Sequence, residues 1–265
     1  MSAIAAIGNL SLDRVSDAPP RPGGSVFYAA QALARIIADA HVVASCAVAD
    51  RSQLVPFLEA FGLPVRWYPS KTTATYRFHY EGDRRIMRQE AVGDAWNPEQ
   101  AVEAAGNALW LHVGALVRTD FPAETLRALA AGGRRLLVDA QGLVRTAALG
   151  PLRMNCHIGD VLRYVAILNL NEEEAETLVG RVDMDRLRSL GVPEVLLTLG
   201  SRGAVVVTAD KAECIPAVDL ACRVDPTGAG DTFSAGYLAA RAAGAEPVEA
   251  ARTATQNAAS FLSNR

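Results

Sequence analysis

Short apolar runs alternate with helix-periodic stretches along almost the whole chain, and that rhythm leaves few folds open. Residues 4–7 form a wholly apolar run, as expected for a strand buried on both faces. Residues 25–37 place Phe27, Ala30, Leu33, Ala34 and Ile37 on one helical face. Residues 41–48 read as a second strand, and 54–61 as a helix closed by Gly62 and Pro64. After an interruption the pattern resumes. Strands are predicted at 109–113, 135–139, 165–170, 195–199 and 204–208, with 211–215 as a hairpin partner. Helices are predicted at 98–105, 123–131, 172–179, 184–190 and 247–262. Such alternation implies an α/β fold: a mostly parallel central sheet covered by helices on both faces, in three αβα layers. Ligands of such sheets bind beyond the carboxyl ends of the strands.

The interruption is residues 66–92. Thr73, Thr75, Arg77 and His79 alternate with Ala74, Tyr76, Phe78 and Tyr80, and Glu81-Gly82-Asp83 reads as the turn of a hairpin. A two-stranded ribbon inserted here is either a small β lid over a site or a pair of idle edge strands. No long linker, repeat or low-complexity tract occurs, so residues 1–265 read as a single domain.

Composition narrows the function classes. The 265 residues are 50% hydrophobic and 21% charged, as in a globular protein, with a formal net charge of -3. No basic excess is available to neutralise nucleic-acid phosphates. No apolar run reaches the length of a membrane span. The start lacks the basic segment of a signal peptide, so a cytoplasmic location is expected. The four cysteines, at 46, 156, 214 and 222, form no C-x-x-C pair, so neither a zinc site nor a redox motif is indicated.

Residues 224–240, VDPTGAGDTFSAGYLAA, carry the densest signal. Gly228, Ala229 and Gly230 make a tight turn that runs into a helix-periodic segment. A glycine turn feeding a helix leaves several backbone N–H groups pointing at one spot, and the helix dipole adds positive character there. Such a place suits phosphate. Asp231, in the first turn, reads equally well as a helix cap or as a carboxylate that takes a proton from an attacking hydroxyl.

Polar residues also gather after each predicted strand. The first strand is followed by Asn9, Ser11 and Asp13, and a later one by Asp139, Gln141 and Arg145. Asn169, Asn171 and Glu174 form a third cluster, and Thr198, Gly200, Ser201 and Gly203 a fourth. Each has a local explanation; Asn171 with Glu174, for instance, makes a capping box. With the Asp225 to Asp231 turn, five clusters on one rim favour a site, and the carboxylates Glu174 and Asp231 suit Mg²⁺. No Walker A, G-x-G-x-x-G, G-x-S-x-G or H-E-x-x-H pattern occurs. The scattered histidines, His41, His79, His112 and His157, read as structural or exposed.

These segments together resemble the ribokinase-like (PfkB) sugar and nucleoside kinases. VDPTGAGDTF is similar to their signature D-T-x-G-A-G-D-x-F, and NLNEEEAETL to their N-x-x-E segment. LLTLGSRGAVV, IGNLSLDRV and RPGGSVFYAAQALARI resemble their nucleotide-side and substrate-side segments, and residues 66–92 fall where the family inserts its lid. The resemblance implies a ribokinase-like fold and phosphoryl transfer from ATP with Mg²⁺. Asp231 would be the base, and the backbone of Gly228, Ala229 and Gly230 the anion hole. Asn171 and Glu174 would hold metal and phosphate through water. Thr198, Gly200, Ser201, Gly203 and Thr227 would line ATP, with Asn257 near the adenine. Asn9, Ser11, Asp13, Gly23, Gly24, Tyr28, Gln141 and Arg145 would form the acceptor side.

Ser11 and Tyr28 depart from the asparagines of ribose-binding members, which points away from a plain furanose. VDAQGLVR resembles a segment of the myo-inositol kinase branch. The link from Asp13 to Gly23 is short, so the family's remaining lid strands are expected to be absent. The expected activity is phosphorylation of a small polyhydroxylated substrate, sugar-like or inositol-like, by a monomer or homodimer without nucleic-acid or membrane partners. The alternatives are a nucleoside kinase, with Tyr28, Trp67 or Tyr76 as platform for the base, and a non-catalytic ATP- or sugar-binding sensor.

Overall fold

The computed structural model describes residues 3–16, 18–36, 39–81, 84–219 and 227–263. In chain order the elements are β1 (Ile4–Asn9), β2 (Ser11–Val15), β3 (Arg21–Gly23), α1 (Ser25–Ile36), β4 (Ala40–Ala47), α2 (Arg51–Glu59) and β5 (Val65–Ser70). Next come β6 (Ala74–Glu81), β7 (Arg84–Ala91), α3 (Pro98–Ala105), β8 (Trp110–Gly114), α4 (Ala123–Ala130), β9 (Arg135–Asp139) and α5 (Gln141–Val144). The rest are β10 (Gly150–Pro151), β11 (Ile167–Asn171), α6 (Glu172–Val179), α7 (Met184–Ser189), β12 (Glu194–Thr198), β13 (Ala204–Val207), β14 (Ala212–Ile215), α8 (Ala229–Ala242) and α9 (Pro247–Ser263).

Among the described residues a nine-stranded sheet runs in the order β14-β13-β12-β11-β9-β8-β1-β4-β5. It is parallel from β5 to β12 and antiparallel from β12 to β14. Successive side chains of a strand point to opposite faces, and both faces here are apolar. Ile4, Ala6, Val42 and Ala44 pack with Leu33 of α1, Tyr237 and Leu238 of α8, and Ala254 of α9. Ala5, Ile7, Val43 and Leu111 pack on the other side with Ala104 of α3, Leu129 of α4, Ala175 of α6 and Leu187 of α7. Two cores on one sheet make the three αβα layers.

The chain leaves β1 towards β4 and β5, then crosses back to β8 on the other side of β1. The order therefore reverses at β1 and β8, where a crevice opens beyond the strand ends. Glycines narrow that crevice. A Cβ on Gly114, at the end of β8, would come within 2.8 Å of the Val26 nitrogen. Only glycine there lets the start of α1 settle against the sheet.

A second sheet has the order β10-β7-β6-β2-β3. This corrects the expected two-stranded lid. The β6–β7 hairpin is present, but β2 joins β6 in parallel and β3 joins β2 antiparallel. β3 and the second half of β2 lie in the link expected to be too short to supply any strand. Three residues suffice for β3, because its partner β2 follows directly on β1. Residues 66–70 belong to β5, an edge strand of the large sheet rather than the ribbon. Gly82 and Asp83, assigned to the hairpin turn, lie outside the described residues, as do Val224, Asp225 and Pro226 of the glycine-rich stretch.

Candidate active site

Gly228 opens α8 with φ +80°, in the left-handed region, and contributes no side-chain cap. Glycine is needed there twice over: a Cβ would also lie 2.4 Å from Cδ1 of Tyr28. The first-turn N–H groups of α8 have no intrahelical acceptor. They lie along a cavity of about 990 Å³ whose wall includes Thr227, Gly228, Ala229, Gly230 and Asp231. Asp231 therefore faces the cavity from the first turn of an uncapped helix. Burial, and next the nearby Asp139 charge, raise its carboxyl to about 6, against the pull of Ser25, His112 and Arg145.

Asp139, at the end of β9, is the polar centre of the crevice. Its Oδ1 accepts hydrogen bonds from Ser234 Oγ at 2.6 Å and Asn169 Nδ2 at 2.9 Å. Its Oδ2 accepts from Ser25 Oγ at 3.1 Å, and His112 Nε2 lies 3.4 Å away. Burial opposes its ionisation, but His112, Ser234 and Asn169 together hold it below the ordinary carboxylate value. Five elements (α1, β8, β9, β11 and α8) are tied at this one carboxylate.

At one end of the cavity, Asn171 caps α6 and Glu174 closes the capping box. Glu174 N–H donates to Asn171 Oδ1 at 2.9 Å, and Asn171 N–H to Glu174 Oε2 at 3.0 Å. Both residues line the cavity. Glu174 is buried, and that burial raises its carboxyl while Arg145 pulls it back. Thr198, Gly200, Ser201 and Gly203 line the same end, with Gly200 and Gly203 at positive φ. A Cβ on Gly203 would sit 2.0 Å from the Ile215 carbonyl oxygen, so this turn tolerates only glycine. Beyond it the wall is apolar: Leu199, Ala217, Val218, Ala258, Ala259 and Leu262.

At the other end Ser11, Asp13, Gly24, Tyr28, Gln141 and Arg145 line the cavity, with Ser11 Oγ donating to Asp13 Oδ1 at 2.7 Å. Tyr76, Phe78 and Met87 of the second sheet face them, beside Leu116. Burial pushes the Tyr76 phenol well above its ordinary value.

Three expected residues are not part of the cavity wall. Asn9 is turned away, accepting from Trp96 Nε1 at 2.9 Å and donating to the Asp94 carbonyl at 3.0 Å. β1 and β2 belong to different sheets, so strand alternation does not carry from Asn9 to Ser11. Gly23 lies behind Asp13, where a Cβ would meet Oδ2 at 2.3 Å. Asn257 packs towards α8, its Nδ2 2.9 Å from where a Cβ on Gly236 would be. The cavity face of α9 is Thr255, Ala258, Ala259 and Leu262, the three-to-four spacing that leaves position 257 out. Trp67 is also elsewhere, its ring 4.6 Å from the Arg51 guanidinium.

Ser25, His112 and Ser234 are not among the expected site residues, and Asn169 is expected at the rim but without a role. Ser234 sits one turn after Asp231, and Asn169 and Asp139 both end strands, so a sequence signal existed for these. Nothing in the sequence marks His112, which is fully buried within β8.

A crevice at the strand-order reversal, a helix start without a cap and a buried carboxylate beside it define a phosphate-handling enzyme of the three-layer α/β class. Comparison with known proteins agrees. The description "pfkB family carbohydrate kinase" covers residues 7–264. Bacillus subtilis ribokinase is 27% identical over 283 aligned residues, spanning 98% of this chain and 92% of that protein. A Methanocaldococcus jannaschii nucleoside kinase is 33% identical over 82 residues, only 31% of this chain and 27% of that protein. Among solved structures, a pyrophosphate-dependent kinase of the ribokinase family, complexed with a pyrophosphate analog and myo-inositol, superposes with TM-score 0.85. It is 22% identical and the match covers 98% of this chain and 94% of that one. A Burkholderia thailandensis nucleoside kinase in complex with inosine gives 0.79 at 20% identity, over 98% and 91%. The chain belongs to the pfkB carbohydrate kinase family, a family of phosphotransferases.

Proposed function

We propose that the protein transfers the terminal phosphoryl group of ATP to a hydroxyl of a small polyhydroxylated molecule, sugar-like or inositol-like. The observation that carries this reading is the placement of Asp231 in one cavity with both the α8 start and the Ser11–Asp13 pair. Asp13 and Ser11 offer acceptors and a hydroxyl suited to an alcohol. Asp231 takes the proton of the attacking hydroxyl, and the α8 N–H groups oppose the charge that develops on the transferring group.

ATP suits the donor end better than pyrophosphate does. Among the described residues, Leu199, Ala217, Val218, Ala258, Ala259 and Leu262 give that end mostly apolar surface, with Asp219 and Thr255 beside them, and Arg145 is the single cationic residue of the cavity wall. An adenine needs such a wall, whereas pyrophosphate would call for cations. Mg²⁺ is compatible with the residues present. Glu174 offers a buried carboxylate to the cavity, and Mg²⁺ takes its other ligands from water and phosphate. Among the described residues no cluster of three or more His, Cys, Asp or Glu forms an all-protein metal cage. When bound there, the ion would neutralise phosphate charge.

A nucleoside acceptor is the second reading, favoured by one observation: Tyr28, Tyr76 and Phe78 give the acceptor end an aromatic wall on which a base could stack. ATP and pyrophosphate should be tested as donors against myo-inositol, hexoses, ribose and nucleosides. Turnover with ATP and a cyclic polyol or hexose is expected. A nucleoside as the one active acceptor shifts the reading to the second. Tight ATP binding without turnover on any acceptor overturns both in favour of a sensor.

A further inference from the structure

After α5 the chain runs out to the second sheet and back through residues 145–158, and little regular structure holds that passage. Arg145 N–H donates to the Gln141 carbonyl at 3.0 Å, Arg145 and Met154 form an isolated antiparallel bridge, and β10 is two residues long. Yet the passage begins with Arg145, the single cationic residue of the cavity wall among the described residues. Its Nε is buried without a hydrogen-bond partner, so no protein group locks the guanidinium through that atom. The direction of the side chain then depends on how its backbone is held.

Arg118 holds that backbone. Residues 117–120 make a tight turn beyond β8, with Asp120 N–H donating to the Val117 carbonyl at 3.0 Å. From this turn Arg118 N–H donates to the Arg145 carbonyl at 3.1 Å. Its Nη2 donates to the Val144 carbonyl at 3.2 Å, to the Asn155 carbonyl at 3.3 Å and to Asn155 Oδ1. Its Nη1 donates to the His157 carbonyl at 3.3 Å. Asn155 N–H in turn donates to the Val144 carbonyl at 3.0 Å. One half-buried guanidinium thus grips both ends of the passage, and these acceptors are neutral oxygens. A planar fork of five donors suits several carbonyls at once, which a single ammonium does not. Arg118 itself is not part of the cavity wall.

We propose that Arg118 is a positioning residue for Arg145: by clamping the backbone at 144–145 to that at 155–157, it aims the Arg145 guanidinium at the phosphoryl group in transfer. This rests on the kinase reading above. As the acceptor oxygen bonds to phosphorus, its O–H bond breaks and the proton goes to Asp231. The bond from phosphorus to the donor's bridging oxygen breaks, and its electron pair leaves with ADP. Arg145 makes and breaks no covalent bond; it opposes the negative charge on the phosphoryl oxygens.

The test is a double-mutant cycle between positions 118 and 145 in the full chain. The substrates are ATP and whichever of myo-inositol, hexoses, ribose and nucleosides turns over fastest. Arg145→Ala should lower kcat by about 10²-fold. Arg118→Ala should lower it by about tenfold, with the KM for ATP changed less than about twofold. In the Arg145→Ala background, Arg118→Ala should cost nothing further. A merely structural role would lower the rate by the same factor in both backgrounds. Arg118→Lys keeps the charge without the fork and should stay as slow as Arg118→Ala; full recovery there assigns the effect to charge and overturns the clamp. Equal losses in both backgrounds, or normal turnover in Arg145→Ala, overturn the proposal and leave the kinase reading standing. If Arg118→Ala does not fold, Asn155→Ala, which removes one acceptor and keeps the carbonyls, should lower kcat roughly threefold while Arg145 is present. The same loss without Arg145, or no loss in either background, overturns the proposal by itself. A native protein that turns over no acceptor overturns the kinase reading first, and the proposal falls with it.

Discussion

The two sheets that meet at the cavity are built on different principles. The large sheet is apolar on both faces, and its contribution to the site comes from strand ends: Asp139 of β9, Asn169 and Asn171 of β11, Thr198 of β12. Those residues are held by a core that does not need the ligand. Among the described residues the small sheet has a core of Ala74, Tyr76 and Phe78 with Leu116, and partly buried Val15 and Met87. It is half a wall. The same side chains that pack it, Tyr76, Phe78 and Met87, also line the cavity. On the proposed reading, reaction chemistry rests on the large sheet and acceptor choice on the smaller sheet, whose packing is least independent of what it encloses.

The comparison is sharpened most by Asp231→Asn. Turnover should fall by about 10²–10⁴-fold with ATP affinity nearly intact, measured by initial rates and nucleotide titration. The same variant should melt higher at neutral pH. Its carboxyl is raised to about 6, so the ionised form costs the fold stability that is present at low pH and lost as pH rises through 6. Removing that charge should add roughly 2–5 °C to Tm at pH 7.5 and nothing near pH 4.

Gly228→Ala comes next. A positive φ and a Cβ 2.4 Å from the Tyr28 ring should displace the turn and lower kcat by about 10²-fold, on a backbone strain of ~1–2 kcal/mol. Phe78→Ala, in the small sheet, should raise the acceptor KM by about tenfold while leaving the KM for ATP unchanged. Equal losses on both substrates would end the division of labour between the sheets. Asn257→Ala should change the KM for ATP by less than about twofold, because that side chain faces α8 instead of the cavity.

The smallest expected effect lies outside the site. Asp120 is buried, and burial raises its carboxyl to about 7 against the Leu116 and Val117 N–H groups that bond it. Its ionisation should erode stability as pH climbs from 4 to 7. Asp120→Asn should flatten that slope in denaturant titrations while leaving turnover unchanged.

Much of the large sheet was legible because local pattern and burial coincide there. The predicted helices at 98–105 and 172–179 and the strand at 135–139 match α3, α6 and β9 residue for residue. Asp231, Glu174, Asp13 and Arg145, which all line the cavity, were picked out because each lies within a few residues of the end of a large-sheet strand or of the glycine turn at 228–230, where a parallel sheet gathers its loops. Asn9, Gly23 and Asn257 were misplaced because orientation depends on which sheet or helix pair claims a residue. A one-position offset on α9 turns a side chain from the cavity to α8. Helix pattern does not hide that offset, but only packing shows which face meets the cavity.

By itself, then, the sequence determined the layers, and it pointed to the rim where the cavity opens and to the glycine turn at 228–230, all of which depend on local periodicity and backbone freedom. Two things needed the tertiary structure. One is the five-stranded small sheet, whose partners β2 and β6 are brought together from distant parts of the chain. The other is the convergence of Ser25, His112, Asn169 and Ser234 on Asp139. A hydrogen bond between residues up to 114 positions apart has no sequence period. It exists because glycine at 114 lets α1 approach the sheet, and that proximity is a property of the packed fold.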